Sequence, residues 1–214
     1  MGYTKNNIVK FLVLLPVFVF ILLGIGLISQ PPDSESFRRS IGPPDLDWVD
    51  KTLRSLTLRE QIGQLIHVRI RGEFLNRESR DYTNLIRDIE DYKVGGMVLF
   101  AGNIYESVHL INDLQQRSDL PLLVASDFER GASFRIEDTT SFPWAMAVGA
   151  TESEEYAYSQ GMITAREARA LGVHWIFAPV LDVNNNPENP VINIRAYGED
   201  PVLVAGLGTA FIRG

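Results

Sequence analysis

The chain has 214 residues, no cysteine and a formal net charge of −7. The absence of cysteine excludes disulfides and thiolate metal ligands. The acidic balance offers no basic footprint, so nucleic acid is not an expected partner.

From Phe11 to Ile28 the sequence carries no charge, with Lys5 and Lys10 before it and Pro31, Pro32, Asp33 and Glu35 after it. An apolar run of about 18 residues reaches the lower limit for a spanning helix and exceeds the roughly 7–15 of a signal-peptide core. Residues 1–30 are therefore read as one transmembrane or signal-anchor helix. The lysines would hold the N-terminus inside and leave the rest membrane-anchored on the exported side, at the periplasm or cell surface. The alternative is a secreted protein, cleaved at the small-x-small site Gly24-Ile25-Gly26. Residues 31–44, rich in Pro and Ser, read as a linker, and 45–214 as one folded domain.

Thr57-Leu58-Arg59-Glu60 has the form of a capping box and predicts a helix with Leu58, Ile62, Leu65 and Ile66 on one apolar face. Over Leu65–Ile70 the pattern turns strand-like. Helical spacing returns over Tyr82–Tyr92 through Leu85, Ile86 and Ile89, and Gly95-Gly96 separates it from the strand Met97–Phe100. Asn103-Ile104-Tyr105-Glu106 opens another helix, with Ile104, Val108, Ile111 and Leu114 on one face, and Pro121–Asp127 is the third strand. A second capping box, Thr151-Glu152-Ser153-Glu154, opens a helix running to Leu171, with Gly172 as its stop. His174–Val180 is the fourth strand, and Asp200-Pro201 sets an N-cap and a first-turn proline at the head of a last helix.

Strands that are apolar along their full length, alternating with helices, predict a parallel sheet covered by helices. Two α/β architectures fit: a doubly wound sheet, or the first half of an eight-stranded barrel. No glycine-rich nucleotide-binding motif follows any strand. The expected fold is therefore the (β/α)8 barrel of the TIM type, with its N-terminal half in this chain.

In either architecture ligands meet the C-terminal ends of the strands. The polar residues there are Ala101-Gly102-Asn103, then Ser126 to Gly131 with Arg135, then Asp182 with an asparagine-rich loop and Arg195. An aspartate accepts paired hydroxyl hydrogen bonds and a guanidinium offers a fork of donors. Asp127, Arg135 and Arg195 together thus make a candidate site for a hydroxyl-rich ligand, a sugar. Asp182 is expected to cap the turn and to hold Asn184 to Asn186 in place. His67, His109 and His174 fall into no metal-binding spacing and are expected to be structural, with no metal and no cofactor bound.

Two segments carry a resemblance. Ser126-Asp127-Phe128-Glu129-Arg130-Gly131-Ala132-Ser133-Phe134-Arg135 is similar to the SD-x-E-G-G-R-V-x-R segment of glycoside hydrolase family 3. Phe177 to Pro201, FAPVLDVNNNPENPVINIRAYGEDP, resembles that family's FAPVxDVNNNPxNPVIxxRSFGEDP almost throughout. The departures are Arg130 for the first glycine of the pair, Ala132 for the usual arginine, Ser133 for valine, and Ala196-Tyr197 for Ser-Phe. Asn186-Pro187-Glu188-Asn189-Pro190 stands where the β-glucosidase and β-xylosidase branch has a DPRWGRxxE segment, which favours the β-N-acetylglucosaminidase branch.

The resemblance implies that Phe177–Pro201 is a substrate-binding loop, that Asp127 holds the sugar hydroxyls, and that Arg135 and Arg195 contact the sugar. It also implies retaining hydrolysis of terminal β-linked N-acetylglucosamine through a covalent glycosyl-enzyme intermediate. The family's nucleophile and its histidine acid/base are expected after Gly214, so no catalytic residue is assigned. The alternatives are a β-glucosidase of the same family and a catalytically inactive sugar-binding module.

Overall fold

The computed structural model describes residues 46–214; the segment 1–30 and the linker 31–44 lie outside the described residues. Among the described residues no helix is long and apolar enough to cross a membrane. The whole sheet belongs to the compact unit Thr52–Gly214. Helix α1 spans Leu46–Ser55, an element that the sequence pattern does not announce.

Helix α2 (Leu58–Gln64) starts at the expected capping box. The Thr57 backbone N–H donates to Glu60 Oε2 at 2.8 Å, and the Glu60 N–H donates to Thr57 Oγ1 at 3.3 Å. Its apolar face does not turn inward: Leu58, Ile62, Leu65 and Ile66 are all exposed. The helix packs instead through buried Gly63, where a Cβ would lie 2.2 Å from the Tyr92 carbonyl oxygen. Close backbone approach, rather than the leucine and isoleucine stripe, therefore sets which side faces in.

The remaining elements follow in chain order: β1 (His67–Gly72), α3 (Arg80–Glu90), β2 (Gly96–Asn103), α4 (Ile104–Arg117), β3 (Leu123–Ser126), β4 (Ile136–Glu137), α5 (Ala145–Gly149), α6 (Glu154–Ala170), β5 (Trp175–Ile176) and α7 (Pro201–Arg213). The sheet is parallel in the order β1-β2-β3-β5, with the short β4 paired to the end of β2. A doubly wound sheet reverses strand order at its switch point. This sheet adds strands in chain order, which removes that alternative.

One face of the sheet is covered. Met97, Leu99 and Val124 are fully buried among Leu85 and Ile89 of α3, Leu110, Ile111 and Leu114 of α4, and Ala168 of α6. Burying each such side chain is worth about 1.5–3 kcal/mol. Side chains of alternate register leave on the other face, and there Arg69, Leu123, Trp175 and Phe177 are exposed. A second apolar cluster joins α5, α6 and α7 through Val148, Ala157, Val204 and Leu207. At Gly161 a Cβ would lie 2.1 Å from the Phe211 carbonyl oxygen, so α6 and α7 touch backbone to side chain-free backbone.

Most element bounds shift by one to three residues from the sequence expectation, and two differences have a local cause. The N-cap of α6 is Ser153, whose Oγ accepts from the Tyr156 N–H at 3.4 Å. Thr151 belongs to the end of α5, its Oγ1 donating to the Val148 carbonyl at 2.6 Å. The fourth strand, expected over His174–Val180, pairs only at Trp175–Ile176. The Phe177 N–H still donates to the Ser126 carbonyl at 2.9 Å, and beyond it Pro179 has no N–H to extend the ladder. Gly172, at φ +82°, stops α6 as expected, and Asp200 caps α7 by accepting from the Val202 N–H at 2.9 Å.

Candidate functional site

The site grows from the end of β3. Ser126 is fully buried and donates its hydroxyl to the Leu99 carbonyl at 2.7 Å, which ties β3 to β2 at the last paired residue. Phe128 then goes wholly into the core. With Phe128 pointing inward, Asp127 and Glu129 on either side of it leave toward the strand ends. Gly131 sits at φ +89°, and a Cβ there would lie 2.4 Å from the Thr140 carbonyl oxygen, so this glycine is required. Arg130 has no positive φ, and its position therefore tolerates a side chain. A single 3-10 turn, Ala132–Phe134, brings the chain back to Arg135, with Ala132 fully buried.

Asp127 and Arg135 close on each other as a two-pronged pair. Arg135 Nε donates to Asp127 Oδ1 at 2.5 Å and Nη2 donates to Oδ2. The guanidinium lies 4.0 Å from the Phe100 ring centre and 4.5 Å from that of Phe134. Arg195 makes an equivalent fork on a different carboxylate: Nε to Glu129 Oε2 at 2.8 Å and Nη2 to Oε1 at 2.7 Å, with Nη1 donating to the Val191 carbonyl at 3.1 Å. The hydrogen bonds that Arg195 donates to Glu129 raise its pKa against the opposing effect of burial, and the charges of Glu129, Asp182 and Asp127 add to the rise.

The structure thus brings Asp127, Arg135 and Arg195 to one end of the sheet, but most of the arginine forks are spent on carboxylates. Glu129, unassigned in the sequence, is the missing partner. It lies two residues after Asp127 across a core phenylalanine, but its pairing with Arg195, 66 residues on, leaves no signal in the sequence.

Asp182 does not hold the asparagine loop. It is exposed, and among the described residues its carboxylate accepts no hydrogen bond. The turns are made by other groups. Asn186 Oδ1 accepts from the Glu188 N–H at 3.0 Å, and Asn189 Oδ1 accepts from the Val191 and Ile192 N–H groups at 2.9 and 3.2 Å. The Asn184 N–H donates to the Gly198 carbonyl at 2.9 Å and closes the base. Asparagine side chains that accept from amides two and three residues on are self-sufficient turn formers, which leaves Asp182 free.

The histidines lie apart. His67 meets Trp175 edge to face at 6.1 Å, His109 is on α4, and His174 Nδ1 accepts from the Val124 N–H at 3.2 Å. Among the described residues no three acids or histidines are grouped to hold a metal ion.

Chemically, each oxygen of Asp127 keeps a further acceptor direction after Arg135 is bound. Asp127 is therefore a fixed, charged acceptor at the strand ends, with its side chain 23% exposed.

The profile of the Glycosyl hydrolase family 3 N terminal domain matches residues 57–214. A beta-hexosaminidase A of Pseudoalteromonas piscicida is 40% identical over 138 residues, covering 58% of this chain and 23% of that protein. A beta-N-acetylglucosaminidase/beta-glucosidase of Cellulomonas fimi is 31% identical over 176 residues, covering 81% of this chain and 29% of that protein. The solved beta-glucoside phosphorylase BglX bound to 2FGlc superposes with a TM-score of 0.73 at 31% identity, covering 82% of this chain and 31% of that one. The chain therefore spans less than a third of the length of each of these three proteins. With the match running from the first capping box to the last residue, the chain belongs to glycosyl hydrolase family 3 and carries that family's N-terminal domain.

Proposed function

We propose that this domain supplies the terminal sugar subsite of an enzyme that hydrolyses terminal β-linked N-acetylglucosamine with retention, the catalytic carboxylate and acid/base coming from chain beyond it. The observation that carries the reading is Asp127, held by the Arg135 fork yet still partly exposed. In this reading Asp127 accepts ring hydroxyl bonds, while Arg135 and Arg195 contact the sugar with donors not committed to carboxylates. The sheet is one arc of a (β/α)8 barrel, and the exposed Leu123, Trp175 and Phe177 face the interior that the other strands would fill. The hexosaminidase name of the Pseudoalteromonas relative supports the sugar.

A second reading, a β-glucoside specificity, is favoured by the names of the Cellulomonas relative and of BglX. Chromogenic β-N-acetylglucosaminide and β-glucoside, each assayed with the full-length protein, separate the two. Turnover at least 10-fold higher on the first is the expected result, and preference for the second would replace the proposed sugar. Membrane anchoring on the exported side belongs to the same proposal and rests on the uncharged run Phe11–Ile28. Full-length protein in the membrane fraction is expected, whereas a soluble exported form starting between Leu27 and Gln30 would indicate a cleaved signal.

A further inference from the structure

A continuous series of aromatic rings and guanidinium groups runs beside the site. The Arg130 guanidinium lies 5.2 Å from the Trp144 ring centre, and Trp144 meets Phe134 edge to face at 5.7 Å. Phe134 and Phe100 both contact Arg135, at 4.5 and 4.0 Å, and Arg69 lies over the same Phe100 ring at 4.5 Å. Phe100 is the ring of this series that is built into the sheet, on β2, beside Arg69 on β1, whereas Phe134 and Trp144 lie outside the paired strands.

We propose that Phe100 is a positioning residue for the sugar site: its ring holds the Arg135 guanidinium in the plane that makes the two-pronged bond to Asp127, and so fixes the direction of the Asp127 carboxylate. A guanidinium that stacks on a ring face loses freedom to rotate, because cation–π attraction favours contact within about 6 Å of the ring centroid. The Arg135 fork uses Nε and Nη2, so a rotation of the plane breaks both bonds to Asp127 together. And Arg69, which has no carboxylate partner among the described residues, approaches the same ring. Phe100 therefore contacts two guanidinium groups, those of Arg69 and Arg135.

The inference rests on the reading of Asp127 as the hydroxyl acceptor, and its test is arranged to tell the two apart. In the full-length protein, kcat/KM on a chromogenic β-N-acetylglucosaminide is measured for Phe100→Leu, Phe100→Tyr, Arg135→Lys, Asp127→Ala and the double variant Phe100→Leu with Arg135→Lys. Leucine keeps the apolar bulk but removes the ring, so Phe100→Leu should lower kcat/KM about 3- to 10-fold, whereas Phe100→Tyr should stay within about 2-fold of wild type. Lysine at 135 cannot form the planar fork, so adding Phe100→Leu to it should cost less than about 2-fold more. A purely structural role would give the same factor in both backgrounds and would not be rescued by tyrosine. Equal factors in both backgrounds, or a tyrosine variant as impaired as leucine, overturn the inference, as does a silent Phe100→Leu beside an impaired Asp127→Ala. An Asp127→Ala variant with wild-type kcat/KM overturns the reading of the site and this inference with it.

Discussion

The two ion pairs at the strand ends use the same chemistry for different purposes. Asp127 and Arg135 are eight residues apart in one loop, and their side chains are 23% and 20% exposed. Glu129 and Arg195 are 66 residues apart, and the Glu129 side chain is only 8% exposed. A local pair adds little to holding the fold, since its loop already brings the partners near. What it can do is orient a carboxylate that still faces outward. A distant pair with one buried partner does the converse: it ties the β3 loop to the loop after β5 and leaves a ligand only the uncommitted N–H groups of Arg195. Under the proposed function, recognition falls to Asp127, while Glu129 ties the two loops together.

The largest expected effect breaks the second pair. Replacing Glu129 by Ala strips the partner from a partly buried arginine and releases the 3-10 turn at Asn193–Arg195. Breaking a fully buried pair costs about 3–5 kcal/mol, and because Arg195 is 31% exposed the expectation here is about 2–3 kcal/mol, read from denaturant unfolding of the full-length protein. Glu129→Gln keeps part of the geometry and should lose less. If Glu129→Ala unfolded at the wild-type midpoint, the tie between the loops would be refuted.

Next in size is the recognition pair. Charge-assisted hydrogen bonds contribute about 1.5–3 kcal/mol each, so Asp127→Ala should lower kcat/KM at least ~10-fold while shifting the unfolding midpoint less than Glu129→Ala does. A variant that loses stability but keeps kcat/KM would reverse the two roles.

The asparagine loop gives a smaller effect. Asn189→Ala removes the acceptor for two amides and should cost about 1 kcal/mol of stability, whereas Asp182→Ala should be near neutral, because no hydrogen bond is lost. A larger loss at Asp182 than at Asn189 would restore the supporting role expected from sequence.

The smallest expected effect is a pH dependence. Burial, with the Arg169 charge added, holds the His174 imidazole below its usual value. Below about pH 6.5 the unfolded chain then binds the proton that the folded chain resists, so stability is level above that pH and declines as the pH falls toward the folded value. Protonation would also put a donor against the Val124 N–H, which now donates to His174 Nδ1. Thermal midpoints between pH 7.5 and 5.5 should therefore decline more for wild type than for His174→Asn, and equal slopes would remove His174 as the cause.

Much of this was legible in the sequence, for identifiable reasons. Strands buried in a parallel sheet read as apolar runs, and caps at Thr57, Asn103 and Asp200 act within a few residues, so local pattern suffices for both. The stop at Gly172 is equally local. What escaped depended on distance or on packing. Thr151, with Glu154 three residues on, fits a capping box and Ser153, with Tyr156 there, does not, yet the N-cap is Ser153 and the Thr151 hydroxyl bonds back to Val148 at the end of α5. The stripe Leu58, Ile62, Leu65 and Ile66 is a sound amphipathic signal, yet the side that faces in was chosen by the close approach at Gly63. At the candidate site, Asp127, Arg135 and Arg195 were singled out by position after the strands, but a pair 66 residues apart cannot be read from spacing, and so the Glu129 pairing and the unbonded Asp182 carboxylate appeared only in the fold.

The central claim is that Asp127 meets the sugar and Glu129 acts through Arg195. The most direct measurement is the calorimetric Kd of N-acetylglucosamine for the full-length wild type, Asp127→Asn and Glu129→Gln, with the unfolding midpoint of each. Asparagine at 127 keeps the shape and removes the charge, so it should weaken binding at least ~10-fold, or about 1.4 kcal/mol, with little change in midpoint, while Glu129→Gln should lower the midpoint more than it weakens binding. Wild-type affinity in Asp127→Asn would contradict the account.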